Sequence, residues 1–256
     1  MRNKLTDELA VCGLNAALAL AEYHPETINR LFLREDRFRQ FTRVCKSLAE
    51  RKRPYKICLD DELERLCKSV HHQGVVVMIE EPAIEPLTRE DLDLWAAECK
   101  TGLVLHEVGN DHNLGAIIRA AAFLDAHFIV LNEKDTEARL STSAYRVAEG
   151  GMEHVVVRKI SSTAAFLKDA AKKILVIGTD TRARQRIGDL RGIVEEKRAG
   201  RGKPGIALVL GNEETGLPQS VKDSCSLLLR VPGTGYIDSL NVSQTAALFL
   251  REIYDL

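Results

Sequence analysis

Leu208–Pro218 reads LVLGNEETGLP, an apolar run that ends in two glutamates held between two glycines. A short Val/Leu run closed by glycine predicts a strand buried on both faces, then a tight turn, with Pro218 opening the next helix. The stretch lacks both the Gly-Lys-Ser/Thr of a phosphate loop and the G-x-G-x-x-G of a dinucleotide fold. Glu213 and Glu214 would repel phosphate. Such a turn suits a neutral or cationic ligand, or serves only as a structural cap.

The same grammar repeats on both sides. GLVLHEV, HFIVLN, HVVVRKI, ILVIGTD, GIALVLG and SLLLRVP read as strands from Gly102 onward. Helical stretches separate most of them, at 114–124, 137–148, 163–173, 219–223 and 242–254. This alternation predicts an α/β fold with a parallel sheet covered on both faces. In such sheets ligands bind beyond the carboxyl ends of the strands, where GTD, GNEETG and VPGTG fall.

Upstream, an apolar helix is predicted over Glu8–Glu22, then a strand in INRLFLRE and a basic amphipathic helix near Phe38–Glu50. A strand in KICLD, a helix in DELERLCKSV and a buried strand in GVVVMI complete a smaller α/β domain. EEPAIEPLTREDLDLW is rich in proline and acid without clean periodicity and reads as a linker. The expected organisation is a domain over 1–85, a linker over 86–100 and a second domain over 101–256.

The 256 residues carry a net charge of −1, and no apolar run approaches the roughly 20 residues that span a bilayer. The start shows no signal-peptide pattern. Six cysteines without a C-x-x-C pair argue against a zinc site or a disulfide framework and suit a reducing cytoplasm, so no metal and no membrane are expected. The charge is segregated. Arg30–Lys56 holds ten basic residues against three acidic, and Ile57–Lys100 four against eleven. Arg182–Lys203 holds eight basic against three acidic. Basic clusters of this kind suit a polyanion, although solvated faces produce them as well.

Three stretches carry candidate chemistry. In NDHNLGAIIRAAAFLDA (Asn110–Ala126), Asp111 or Asn113 can cap a helix whose apolar face is Ile117, Ile118, Ala121 and Leu124. Arg119 is its one cation, fit for an RNA phosphate or a developing alkoxide, or simply a surface arginine. The second stretch is the turn at Gly211. In the third, VPGTGYIDSLNVSQTAALFLREI (Val231–Ile253), Asn241 can cap the last helix. Ser239 has no histidine near it in sequence to act as a base.

Taken in order, NLGAIIRAA with Asn113 and Arg119, LVLGNEETGLP with Gly211 and Glu213, and SLNVS with Ser239, Leu240 and Asn241 resemble the three motifs of the SpoU (TrmH-type) RNA ribose 2′-O-methyltransferases. The likeness covers about Gly102–Leu256. CGLNAALAL and HHQGVVV resemble the family's small N-terminal substrate-binding domain, itself similar to ribosomal proteins that bind kinked RNA. The resemblance implies a trefoil-knotted C-terminal domain, a homodimer, S-adenosylmethionine as methyl donor and methylation of a ribose 2′-hydroxyl. It assigns Arg119 to the 2′-oxygen and gives Asn113, Glu213, Ser239 and Asn241 catalytic positioning roles. Gly211, Val231, Leu240 and Thr179 would surround the adenosine of the donor. Structured ribosomal RNA is the expected substrate, with transfer RNA, or an RNA-binding protein that keeps the fold without methylating, as alternatives. Two departures stand out: Gly233 follows the VP dipeptide where many relatives have methionine, and GNEET replaces the commoner GEG. The basic 182–203 stretch, longer than the usual connection, is expected to be a mobile loop over RNA.

Overall fold

The structure, a computed structural model, describes residues 2–3, 8–133, 140–198 and 202–256. In chain order the first elements are β1 (Arg2–Asn3), β2 (Glu8–Cys12), α1 (Leu14–Tyr23), β3 (Ile28–Leu33), α2 (Thr42–Glu50), β4 (Tyr55–Ile57), α3 (Asp60–Cys67) and β5 (Val75–Glu80). There follow β6 (Glu85–Pro86), α4 (Arg89–Ala97), β7 (Thr101–Leu105), α5 (Asp111–Phe123), β8 (Ala126–Asn132), α6 (Thr142–Ala148), β9 (Val156–Ile160) and α7 (Thr163–Ala170). The last are β10 (Leu175–Thr179), β11 (Gln185–Arg186), α8 (Leu190–Arg198), β12 (Ile206–Leu210), α9 (Gln219–Lys222), β13 (Leu227–Arg230) and α10 (Val242–Tyr254). They divide into two compact units, Met1–Ala83 with Arg139–His154, and Ile84–Ala138 with Val155–Leu256. Among the described residues, no helix is long and apolar enough to cross a membrane.

The first unit is a five-stranded sheet in the order β1-β2-β5-β3-β4, antiparallel except for the β3–β4 pair. The single helix expected over Glu8–Glu22 is corrected here. Glu8–Cys12 is a buried strand against β5, and Gly13 turns the chain into α1 at φ +99°, a backbone state cheap only for glycine. Gln73 Oε1, from 59 residues away, accepts the Leu14 N–H at 2.7 Å and so satisfies one free amide of α1. Cys12, Cys58 and Cys67 pack with Leu63, Val76 and Met78 as small core hydrophobes. The Arg139–His154 portion adds α6, whose start at Glu137–Arg139 in the sequence reading lies outside the described residues. Asn15 Nδ2 donates to Glu149 Oε2 at 2.7 Å, and His24 lies 3.5 Å from the buried carboxylate of Glu153.

The second unit is an eight-stranded, wholly parallel sheet in the order β11-β13-β10-β12-β7-β8-β9-β6. Every residue of β7 and β12 is buried, as a sheet covered on both faces requires. The stretch read as a linker instead carries α4. Thr88 and Asp91 form a reciprocal capping box at its start, and Trp95 is fully buried, stacked on Phe128 at 4.8 Å between ring centroids. The Trp95 indole N–H donates to the Ile206 carbonyl at 3.1 Å, so the ring's polar atom is satisfied. The periodicity is weak because only Leu92 and Trp95 of this helix are buried.

The basic 182–203 stretch is likewise corrected. It forms β11 and α8, with Leu190 and Val194 buried and Arg191 Nη2 donating to the Asp255 carbonyl at 2.8 Å. It is not a free loop; its residues 199–201 lie outside the described residues. The carboxyl ends of β7, β10, β12 and β13 lie side by side, which brings the loops after them together.

Candidate active site

The turn that follows β12 is held by the side chain of Asn212. Its Oδ1 accepts the N–H groups of Glu214 (2.9 Å) and Thr215 (3.1 Å), an Asx-type turn. Its Nδ2 donates to the Glu107 carbonyl at 2.9 Å, tying the turn to the loop after β7. Gly211 is obligatory by close approach, because a Cβ there would lie 2.6 Å from the Gly216 carbonyl carbon and 2.7 Å from the Leu217 nitrogen. The chain doubles back with Asn212 paired to Gly216. The two glutamates part company at this turn: Glu214 is exposed, while Glu213 is half-buried and faces inward.

Glu213 starts a hydrogen-bond chain across three loops. One carboxylate oxygen accepts the Gly109 N–H at 3.2 Å, and the other accepts Asn113 Nδ2. Asn113 Oδ1 accepts Asn241 Nδ2 at 3.0 Å, and Asn241 Oδ1 accepts the Ser243 N–H at 2.8 Å as the cap of α10. Residues 109, 113, 213 and 241 are thus linked at the carboxyl end of the sheet. The cap of α5 is Asn110, whose Oδ1 accepts the Asn113 N–H at 2.8 Å, and not Asp111 or Asn113. That frees the Asn113 side chain for the network.

Of the residues singled out in the sequence, Asn113, Glu213 and Asn241 are in direct contact and Gly211 shapes the same turn. Thr179 lies at the end of β10 and donates its hydroxyl to the Val209 carbonyl at 3.1 Å, joining the ends of β10 and β12. Val231 and Leu240 bracket the exposed loop after β13, and Ser239 is exposed on it. Arg119 is exposed on α5, and it has no hydrogen bond or ion pair among the described residues. The geometry does not bring Arg119, Ser239, Val231 or Leu240 into the hydrogen-bond chain. Just past Thr179, burial pushes the Asp180 carboxyl up, but Lys222 Nζ at 2.8 Å and the Arg182 N–H outweigh it and hold the group below its usual range.

Sequence reasoning missed Gly109, Asn212 and the cap at Asn110. A Cβ at Gly109 would sit 3.0 Å from Glu213 Oε2, so its role depends on a partner 104 residues away. Asn212, by contrast, had a local signal, since Asn followed by two polar residues is an Asx-turn sequence.

The arrangement fits a nucleoside-bearing cation better than a phosphate. The turn at Gly211 offers close-packed backbone with no Cβ, and the nearby carboxylates disfavour an anion. The loop Val231–Asn241 leaves open space around Gly233 and Gly235.

Residues 100–251 match the SpoU rRNA Methylase family, and residues 10–84 match the family described as RNA 2′-O ribose methyltransferase substrate binding. The 23S rRNA (guanosine-2′-O-)-methyltransferase RlmB of Nitrosomonas europaea is 31% identical over 252 residues, covering 98% of this chain and 92% of the relative. The enzyme of the same name from Acinetobacter baylyi is 32% identical over 249 residues, covering 94% of each. Among solved structures, an AdoMet-bound rRNA methyltransferase from Sinorhizobium meliloti superposes with a TM-score of 0.76 at 22% identity, over 98% of this chain and 88% of that one.

Proposed function

This chain belongs to the SpoU rRNA methylase family, and from that premise we propose that it transfers a methyl group from S-adenosylmethionine to a ribose 2′-hydroxyl of structured RNA. The observation that carries the reading is the Gly109–Glu213–Asn113–Asn241 chain, which joins all three family motifs at the carboxyl end of a parallel sheet. The names of the two relatives favour ribosomal over transfer RNA.

When bound, the donor supplies an activated sulfonium methyl. Gly211, Thr179, Val231 and Leu240 would hold it, through the bare backbone of the turn and the loop after β13. The chain's own contribution is alignment and charge. The 2′-hydroxyl proton leaves to water during the transfer, and no proton passes through Arg119. It is exposed and unpaired among the described residues, which suits it to hold an RNA phosphate and to stabilise negative charge growing on the 2′-oxygen. Glu213 is assigned a holding role, because its carboxylate ties the turn at Gly211 to Gly109 and Asn113. Asn113 and Asn241 fix the start of α5 against that of α10, and Ser239 stands exposed beside them to meet the substrate.

The working form is a homodimer in the cytoplasm. Phe123 on α5, Leu248 on α10, and Tyr236 and Ile237 on the loop between β13 and α10 are exposed apolar residues of the second unit, which supports self-association. Phe123→Asp should sediment as a monomer, and an unchanged dimer would count against that face. The return of the chain from β13 to α10, which packs on α5, supports a knotted C-terminal segment; an experimental trace of residues 206–256 tests it.

The test of the activity is transfer of labelled methyl to total RNA from cells lacking the protein. Wild type should label ribosomal RNA at a ribose. Arg119→Ala should lose about 100-fold or more in rate while binding donor and melting as the wild type does. A dimer that binds donor and RNA but labels no fraction would overturn the reading in favour of a binding protein.

A further inference from the structure

After β10 the chain crosses the outer edge of the second unit's sheet, lays down β11 beside β13 and enters α8. Arg182, Arg184 and Arg186 are exposed along this crossing, and Ala183 between them is buried and pins it to the sheet. Arg186 and Arg230 are register partners on the parallel pair β11–β13, so their side chains leave the sheet from one face, roughly 5 Å apart at the backbone. Like charges placed side by side on a sheet repel.

The nearby carboxylates already have partners, chiefly Lys222 and backbone N–H groups. Asp180 holds Lys222 Nζ at 2.8 Å and the Arg182 N–H at 2.9 Å, and Asp189 accepts the Arg186 N–H at 2.7 Å. Arg184 and Arg230 have no hydrogen bond or ion pair among the described residues. The segment is held in place by buried Leu190 and Val194, so the guanidinium groups form a standing feature of the edge. Arg230 also ends β13 directly before Val231, where the proposed donor loop begins.

We propose that Arg182, Arg184, Arg186 and Arg230 form a strip that binds the sugar-phosphate backbone of the RNA substrate beside the methyl-transfer site. The strip rests on the RNA methyltransferase reading and adds a binding surface to it. Guanidinium forks match phosphate oxygens in pairs, and a row of them at an exposed sheet edge fits an extended polyanion better than one small anion. Such interactions hold and orient RNA without reading its sequence.

The experiment measures binding of a fluorescent ribosomal RNA fragment to the full chain over a range of KCl concentrations. Wild type is compared with Arg184→Gln/Arg186→Gln, Arg230→Gln and the charge-preserving Arg184→Lys/Arg186→Lys. Donor binding and melting temperature serve as controls. The double glutamine variant should bind RNA about tenfold more weakly, or worse, at low salt. Its log–log salt slope should be shallower by roughly 0.7–0.9 for each phosphate that is no longer neutralised. Arg230→Gln should shift the slope in the same direction. The lysine variant should keep most of the slope, and donor binding should be unchanged throughout. A double glutamine variant with wild-type affinity and slope overturns this proposal and leaves the methyltransferase reading standing. Competition by inorganic phosphate at these arginines, with no effect of the substitutions on RNA, also overturns it, as a small-anion site. A wild-type chain that binds donor but no RNA overturns the RNA reading and the strip together.

Discussion

Replacing Glu213 by glutamine changes one oxygen for an NH₂ group and nothing in shape, yet the hydrogen-bond chain allows no orientation of that amide. The chain ends in two backbone donors, the Gly109 N–H and the Ser243 N–H. Between them stand three side chains: Glu213, Asn113 and Asn241. Each asparagine can pass the polarity along by accepting on one side and donating on the other. Two donors facing each other along such a chain need one member that accepts on both sides, and only a carboxylate does so. With glutamine in place of Glu213, one donor meets another donor wherever the amides flip.

The cost follows from the bonding pattern. A hydrogen bond to a charged acceptor disappears and a donor is left half-buried without a partner, about 2–3 kcal/mol together. For a chain of this size that is a fall of roughly 5–10 °C in melting temperature. A rescue follows from the same polarity. In Glu213→Gln/Asn113→Asp the double acceptor moves one place along: the introduced glutamine accepts from Gly109 and donates to the introduced aspartate, which in turn accepts from Asn241. Asn113→Asp alone should be the worst of the set, because it sets two carboxylates against each other. The double variant should return to within about 1 kcal/mol of wild type, a coupling well beyond the additive error of independent sites. Urea unfolding of all four proteins gives the cycle, and calorimetric titration of the donor reports the same order in function. A double variant no more stable than the weaker single would refute this account of the polarity.

Gly211→Ala places a methyl 2.6–2.8 Å from the backbone of Gly216 and Leu217, atoms that cannot swing aside. It should cost about 1–3 kcal/mol of stability and weaken donor binding by about tenfold or more, and a wild-type titration curve would contradict the role given to this turn. In the first unit, burial pushes the Glu153 carboxyl up to about 6, with Glu26 adding to the rise and His24 opposing it. The folded chain therefore holds that proton more tightly than the unfolded one. The resulting stability is full below about pH 4.5 and is lost as the pH rises through about 6, an effect of about 1–2 kcal/mol. Glu153→Gln should be more stable than wild type at about pH 7–8 and show a smaller decline between about pH 4.5 and 6.5. Equal pH–stability curves for the two proteins, by urea midpoint, would rule this out.

The parallel sheet was legible because its central strands are short runs of Val, Ile and Leu, and a sheet buried on both faces needs nothing else. The failures share one cause, that burial was narrower or more shared than the pattern suggested. ELAVC and LNAALALAE are both apolar, so only Gly13 separates a strand from a helix there. Helix α4 buries two residues, and α8 hides Leu190 and Val194 among charges. In the site, the order of the three motifs brought out Asn113, Glu213 and Asn241, but not how they join, since their partners lie 100 and 128 residues apart.

The two glutamates of GNEETG pose the same difficulty in its smallest form. On paper Glu213 and Glu214 are interchangeable acids beside a glycine. The Asx-type turn at Asn212 aims them apart, and the Gly109 amide, held within reach on the neighbouring loop, takes one of them. A carboxylate is needed at Glu213 because the Gly109 N–H reaches it directly and the Ser243 N–H through two amides, and at Glu214 nothing in the turn requires one. Glu214→Gln should therefore leave stability untouched and weaken donor binding less than Glu213→Gln does. The contrast between these neighbouring substitutions isolates the direction of the hydrogen bonds from the charge of the turn, since both remove one negative charge from the same loop.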